Sequence, residues 1–233
     1  MNTIEQNIRH VQEQIATAAE NCGRRSEAVT LIAVSKTFPA DTVTQAISAG
    51  LTRFGENRIQ EAEPKIMCLR TFHNIEWHMV GHLQSNKARR AAELFNVIHS
   101  LDSVKLAARL NEACEELGKT ISVLLQVDLA EEATKFGAPR GQIHGIVAAV
   151  ANMKWLRLDG LMTIPPYFDD PELTRPFFSE LRELSVSLER ESPGCLGRRH
   201  LSMGMSNDFQ VAINEGSTMV RIGTALFGVR NRD

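Results

Sequence analysis

The sequence predicts one α/β domain closed as a (β/α)8 TIM barrel, with an additional helix at its N-terminus. Three observations carry this. Short runs rich in Val, Ile and Leu alternate with stretches of helical spacing along the chain, the pattern of a parallel sheet whose strands are joined by helices. Eight such runs occur, at residues 30–35, 52–55, 75–80, 97–101, 121–127, 156–161, 200–203 and 219–222, and a chain of 233 residues suits eight units. The runs are apolar on both faces, as expected of strands covered on both sides. A doubly wound open sheet is the competing arrangement. It normally carries a Gly-rich turn after its first strand, and here that strand runs into Ser35-Lys36-Thr37-Phe38-Pro39.

In chain order, the N-terminal helix rests on Ile4, Ile8, Val11 and Ile15 at helical spacing within residues 4–20. Amphipathic segments at 42–49, 104–117, 143–150 and 175–191 supply helices between strands. Pro165-Pro166 and Pro193-Gly194 read as loops. No shift in composition divides the chain, so residues 1–233 are expected to form a single domain. Apolar residues make up 43 % and charged residues 23 %, ordinary values for a soluble globular protein. The net charge of −2 argues against nucleic acid or a membrane as partner. Cys22, Cys68, Cys114 and Cys195 are far apart with no C-x-x-C, which suits reduced thiols. The N-terminus has no signal-peptide character, and no run approaches the roughly 18 apolar residues of a membrane span. The expectation is a cytoplasmic, monomeric protein.

Chemistry in such a barrel lies at the C-terminal ends of the strands. The run Leu31-Ile32-Ala33-Val34-Ser35-Lys36 places a lysine at an apolar barrel mouth. Burial there disfavours the ammonium form, and a neutral amine is what a Schiff base with an aldehyde requires. The alternative is a lysine reaching from a strand end to solvent. Strands seven and eight end in Ser202-Met203-Gly204-Met205-Ser206 and Arg221-Ile222-Gly223-Thr224, where these barrels often hold a phosphate. Gly204 and Gly223 would admit the backbone close to a phosphate. Ser206 would cap the next helix, with Asp208 in its first turn, and Thr224 would offer its hydroxyl and backbone N–H. Ordinary Gly/Ser turn chemistry is the alternative. Arg221, pointing inward, needs an acceptor, either a pyridine nitrogen or a carboxylate. His78 and His82 are four apart, but a strand end and Gly81 intervene and no Cys lies nearby, so no metal site is expected. His78 is expected to be a satisfied polar residue near the mouth; His10, His99 and His144 carry no pattern. Ser202 lacks a G-x-S-x-G setting.

Several segments resemble one family, the pyridoxal-phosphate homeostasis proteins. They are Ala33-Val34-Ser35-Lys36-Thr37, Phe54-Gly55-Glu56-Asn57, Trp77-His78-x-x-Gly81-x-Leu83-Gln84-Ser85-Asn86-Lys87, Leu201-Ser202-Met203-Gly204-Met205-Ser206-x-Asp208, and Gly216-Ser217-Thr218-Met219-Val220-Arg221-Ile222-Gly223-Thr224. The family looks like the barrel domain of alanine racemase standing alone. The resemblance implies pyridoxal 5′-phosphate as cofactor, held as a Schiff base on Lys36. It further implies that Ser202, Gly223 and Thr224 bind the phosphate, helped by backbone around Met203 and Ser206. Arg221 would meet the pyridine nitrogen, with Asn57 and His78 beside the ring. Lys135 matches a K-x-G element near the site. Phe38 stands where the family commonly has a second lysine, and Arg58 where an aromatic is frequent.

An arginine at the pyridine nitrogen cannot readily give up a proton, so the ring would be a weaker electron sink than with an aspartate partner. The second base of alanine racemase is a tyrosine on a separate β-domain, and this chain has no room for one. Its only tyrosine is Tyr167. The implied function is therefore intracellular homeostasis or delivery of pyridoxal 5′-phosphate, with cofactor-using apo-enzymes as partners and effects on vitamin B6 and amino-acid balance. A weak amino-acid racemase is the second reading and a Schiff-base aldolase the third.

Overall fold

The computed structural model describes residues 3–130 and 136–228. Eight parallel strands form a closed barrel in sequence order: β1 (Thr30–Val34), β2 (Arg53–Glu56), β3 (Glu76–Met79), β4 (Val97–Leu101), β5 (Ile121–Gln126), β6 (Leu156–Met162), β7 (His200–Ser202) and β8 (Met219–Ile222). Closure is made by β1 against β8, with Ile32 opposite Arg221. The strands fall where the apolar runs predict, within two residues at each end.

The outer ring runs α1 (Ile4–Asn21), α2 (Ala40–Ser48), α3 (Ile59–Cys68), α4 (Ala88–Leu94), α5 (Val104–Glu116), α6 (Ile143–Ala151), α7 (Arg175–Glu191), α8 (Phe209–Asn214) and α9 (Thr224–Phe227). Helix α1 begins on a capping box: Thr3 Oγ1 accepts from the Gln6 N–H and Gln6 returns a bond to the Thr3 N–H. Its Ile8, Val11, Ile15 and Ala19 are buried. Asn7 donates to the Leu226 carbonyl at 2.9 Å, which ties α1 to α9, the helix that follows the last strand. Four of these helices were not delimited by periodicity. Pro64 lies inside α3, against its ordinary preference, and α4, α8 and α9 are seven, six and four residues long.

Two apolar clusters form. The large one lies between strands and helices and includes Phe54, Phe95, Leu106, Leu125 and Phe178. The small one, Ile32, Leu124, Met162 and Met219, fills the barrel interior. At about 25 cal/mol per Å2 of apolar area the large cluster dominates the driving force for folding. The small one lies beneath the C-terminal mouth, where Ile164, packed against it, also lines the cavity described below. Gly81, after β3, is explained by packing: a Cβ there would stand 2.3 Å from the Asn57 carbonyl oxygen, so only glycine lets the two loop segments meet. No helix among the described residues is long and apolar enough to cross a membrane.

Candidate functional site

A cavity of about 280 Å3 opens at the C-terminal ends of the strands. Lys36 enters it from the turn after β1, Asn57 from the end of β2, and Arg221 from within β8. Ser206 comes from the loop after β7, and Gly223 and Thr224 follow β8. Phe38, Tyr167 and Phe168 complete the apolar side. Of the nine residues expected at the site, these six polar or glycine positions share one cavity. His78, Ser202 and Met203 do not line it.

His78 and Ser202 lie beneath it, in a buried chain of hydrogen bonds. Arg221 Nη1 donates to Ser202 Oγ at 2.6 Å and its Nη2 to the Thr163 carbonyl at 2.9 Å. Ser202 Oγ lies 2.8 Å from His99 Nδ1, and His99 Nε2 lies 2.9 Å from His78 Nδ1. Direction follows from the two ends. A guanidinium only donates, so Ser202 Oγ accepts from Arg221. At the other end the Glu76 carboxylate, 3.8 Å from His78 Nε2, favours a proton on that nitrogen, which makes His78 Nδ1 the acceptor and turns the Ser202 hydroxyl hydrogen to His99 Nδ1. His99 then carries its proton on Nε2 and donates to His78 Nδ1. His78 is left with an Nε2–H that has no hydrogen-bond partner and stands 3.8 Å from the Glu76 carboxylate. Burial holds both imidazoles below their ordinary range, His99 well below it, so both are neutral, as this pattern requires. His99 was thus missed by sequence reasoning. Its one signal was a polar residue in the apolar run Val97-Ile98-His99-Ser100-Leu101.

Arg221 is 4 % exposed, and burial pulls its guanidinium down to about 10, opposed by the Asp208 carboxylate. It therefore stays charged at neutral pH. Its hydrogen-bond acceptors on the protein side are neutral, so the charge is not cancelled by a bonded carboxylate. Asp208 is itself raised, first by burial, against the Met205 N–H and Arg221.

The loops after β7 and β8 depart from the expected capping. Asp208, not Ser206, holds the capping position of α8, and its Oδ1 accepts the Met205 N–H at 2.6 Å. Ser206 Oγ turns instead to the backbone N–H groups of Gly223 and Ala225, at 3.3 and 3.4 Å. Gly204 has φ +92, and a Cβ there would meet Ala212 Cβ at 2.6 Å; it is glycine for helix packing rather than for ligand approach. The Met203 N–H bonds to the Met219 carbonyl at 3.1 Å and its side chain is buried in the core, which removes it from the cavity wall. Lys135 lies outside the described residues.

The Lys36 turn also has unexpected support. The Ser35 carbonyl accepts the Phe38 N–H at 3.1 Å, closing a turn with Lys36 and Thr37 at its corners. Thr37 has φ +69, a left-handed conformation that costs a β-branched residue about 1–3 kcal/mol. Behind it, Lys65 of α3 pairs with Glu56 at 2.5 Å, both buried. Burial raises the Glu56 carboxyl, and the Lys65 ammonium opposes that shift. No group of three or more metal-binding side chains occurs among the described residues.

The family pattern described as alanine racemase, N-terminal domain, matches residues 2–231. The chain is 42 % identical over 234 residues to the pyridoxal phosphate homeostasis protein of Vibrio alginolyticus, covering 99 % of each chain. It is 44 % identical over 231 residues to that of Pseudomonas aeruginosa, covering 99 % of this chain and 97 % of the relative. The chain belongs to the pyridoxal phosphate homeostasis protein family. A solved structure of similar fold is PipY of Synechococcus elongatus PCC7942 with PLP bound, at 37 % identity and a TM-score of 0.87, covering 97 % of this chain and 100 % of that one. Alanine racemase from Corynebacterium glutamicum, at 19 % identity and TM-score 0.72, shares the fold, covering 97 % of this chain and 62 % of the racemase. The donors of the cavity fit the cofactor of this homeostasis family: an amine at Lys36, a buried guanidinium without a bonded carboxylate, and hydroxyl and N–H donors at Ser206, Thr224, Gly223 and Ala225.

Proposed function

We propose that this chain binds pyridoxal 5′-phosphate in the cavity, anchored covalently through Lys36, and serves the homeostasis or delivery of that cofactor in the cytoplasm as a monomer. The single observation that carries the reading is Arg221: a buried guanidinium aimed into a cavity that also holds a lysine amine, with neutral partners behind it. When bound, pyridoxal 5′-phosphate supplies an aldehyde carbon to which a lysine amine adds with loss of water.

Among the described residues, Lys36 is the lysine that lines the cavity. Gly223, Thr224 and Ser206 supply N–H and hydroxyl donors to the phosphate, with Ser206 releasing the Gly223 and Ala225 N–H groups it now meets at long distance. Asn57 stands beside the ring. His78 and Ser202 act from below by holding Arg221. Arg221 offers the ring nitrogen a donor that keeps its own proton, so electron withdrawal from the substrate carbon is weak. That favours carriage over turnover and makes cofactor-using apo-enzymes the recipients.

The test is the visible absorption spectrum of the purified protein before and after borohydride, with mass mapping of the reduced adduct. A yellow protein with a phosphopyridoxyl group on Lys36 is expected. A colourless protein that takes up no added pyridoxal 5′-phosphate would overturn the proposal and favour a Schiff-base aldolase. A weak racemase is the second reading, and one observation favours it: Tyr167, the sole tyrosine, lines the cavity. Exchange of the α-proton of D- and L-alanine well above the rate with free cofactor would establish it.

A further inference from the structure

The cavity does not use Glu56 or Lys65, yet they form a buried ion pair next to the residue that reaches into it. Lys65 Nζ donates to Glu56 Oε1 at 2.5 Å and to the Ser35 carbonyl at 2.8 Å. Ser35 Oγ donates to the same Glu56 oxygen at 2.6 Å. Ser35 is therefore gripped through both its carbonyl and its hydroxyl. On the other side of Lys36, Glu61 Oε2 of α3 accepts the Thr37 N–H at 3.3 Å. Three charged side chains, one from β2 and two from α3, thus hold the residues immediately before and after Lys36. Their grip coincides with the one left-handed threonine among the described residues, and strained backbone persists only where its surroundings over-determine it.

We propose that Lys65 and Glu56, assisted by Glu61, are positioning residues that hold the strained Ser35–Phe38 turn and so fix where the Lys36 amine stands. Resting on the reading of Lys36 as the anchor, this assigns the pair a role in cofactor retention. Lys65 donates to the carbonyl that also closes the turn through the Phe38 N–H; both acceptor positions of that oxygen are filled. Without the ammonium, the Ser35 carbonyl loses one of its two donors, the turn that holds Thr37 left-handed loosens, and Thr37 relaxes towards negative φ, turning the Lys36 side chain away from the cavity. A buried pair can be exchanged for neutral groups of like size without loss of fold, whereas removing one partner leaves a buried charge, so the pair is tested together.

The test uses the full chain carrying Lys65→Met with Glu56→Gln. In the cofactor-free protein, amide hydrogen exchange at Thr37 and Phe38 is expected to quicken about tenfold, the equivalent of ~1.4 kcal/mol, while the thermal midpoint moves little. In the loaded protein, loss of pyridoxal 5′-phosphate to an excess of an aldehyde trap quickens by a similar factor. Adding Thr37→Gly, which removes the strain, restores both rates. Should the double variant fail to fold, Glu61→Ala, which uncovers no buried charge, carries the test with a smaller acceleration expected at the same two amides. Exchange and release within twofold of the parent protein, or acceleration that Thr37→Gly leaves in place, would overturn the proposal. If the parent takes up no cofactor, the reading of the cavity falls, and the amide-exchange arm still decides on the clamp.

Discussion

Behind Lys36 the protein places charges; behind Arg221, on the neighbouring strand, it places neutral dipoles. The lysine sits in a strained turn bounded by Lys65, Glu56 and Glu61. The arginine donates to a serine hydroxyl and a backbone carbonyl, with two neutral histidines in line. Each solution suits its task. On the proposed function the Lys36 amine reacts with an aldehyde and needs a set place; the ion pair behind it joins Lys65 and Ser35 to one Glu56 oxygen, while the other, Oε2, is buried without a hydrogen-bond partner. On the same proposal Arg221 meets an acceptor in the cavity; a guanidinium keeps its charge available when no carboxylate is bonded to it, and neutral acceptors orient it without cancelling it.

The comparison can be broken in stages. The largest effect is expected from Lys36→Ala: the borohydride-stable adduct disappears from the mass map while the circular dichroism spectrum stays that of the parent. Next is Arg221→Leu. It removes charged hydrogen bonds worth about 1.5–3 kcal/mol each, so affinity for pyridoxal 5′-phosphate should fall roughly 10- to 100-fold in an equilibrium titration. Retained affinity would show that the arginine serves the fold alone.

A smaller effect is expected from the histidines. Both are held below the ordinary value of 6.5 by burial, so the unfolded chain binds the extra protons as pH falls. Their contribution to stability is complete above 6.5 and is lost on acidification below it, with a slope approaching ~1.4 kcal/mol per pH unit for each group. Thermal midpoints measured across this range should show the slope, and His99→Leu should flatten it. The same variant should cost about 1–3 kcal/mol at neutral pH by stranding Ser202 and His78. The smallest effect is expected from Tyr167→Phe, which removes a hydroxyl from a residue 76 % exposed. Cofactor binding should stay unchanged, and a loss of any α-proton exchange would single out the racemase reading.

Much of this was legible in sequence because it is local. Strand positions follow from runs of buried apolar residues, and α7 was located to the residue by its helical spacing. Lys36, Asn57, Gly223 and Thr224 could be placed at the mouth because each stands at or just beyond the end of an apolar run. Where the sequence misled, a long-range contact had intervened. Ser206 is spaced to cap the helix that follows it, yet its hydroxyl meets N–H groups seventeen and nineteen residues away. Gly204 stands in a phosphate-like setting but is dictated by the approach of α8.

The sequence by itself determined the barrel, the family and the set of polar residues gathered at one end, since strand periodicity and order along the chain are enough to bring strand ends together. Only the tertiary structure decided depth. His78, His99, Ser202 and Arg221 come from β3, β4, β7 and β8, and which of them faces the cavity depends on how far each strand slides past its neighbour when the barrel closes. Lys65 reaches the Lys36 turn from a helix that a proline had hidden from pattern reading. Such pairings join residues twenty to more than a hundred positions apart, a separation at which no period along the chain carries information.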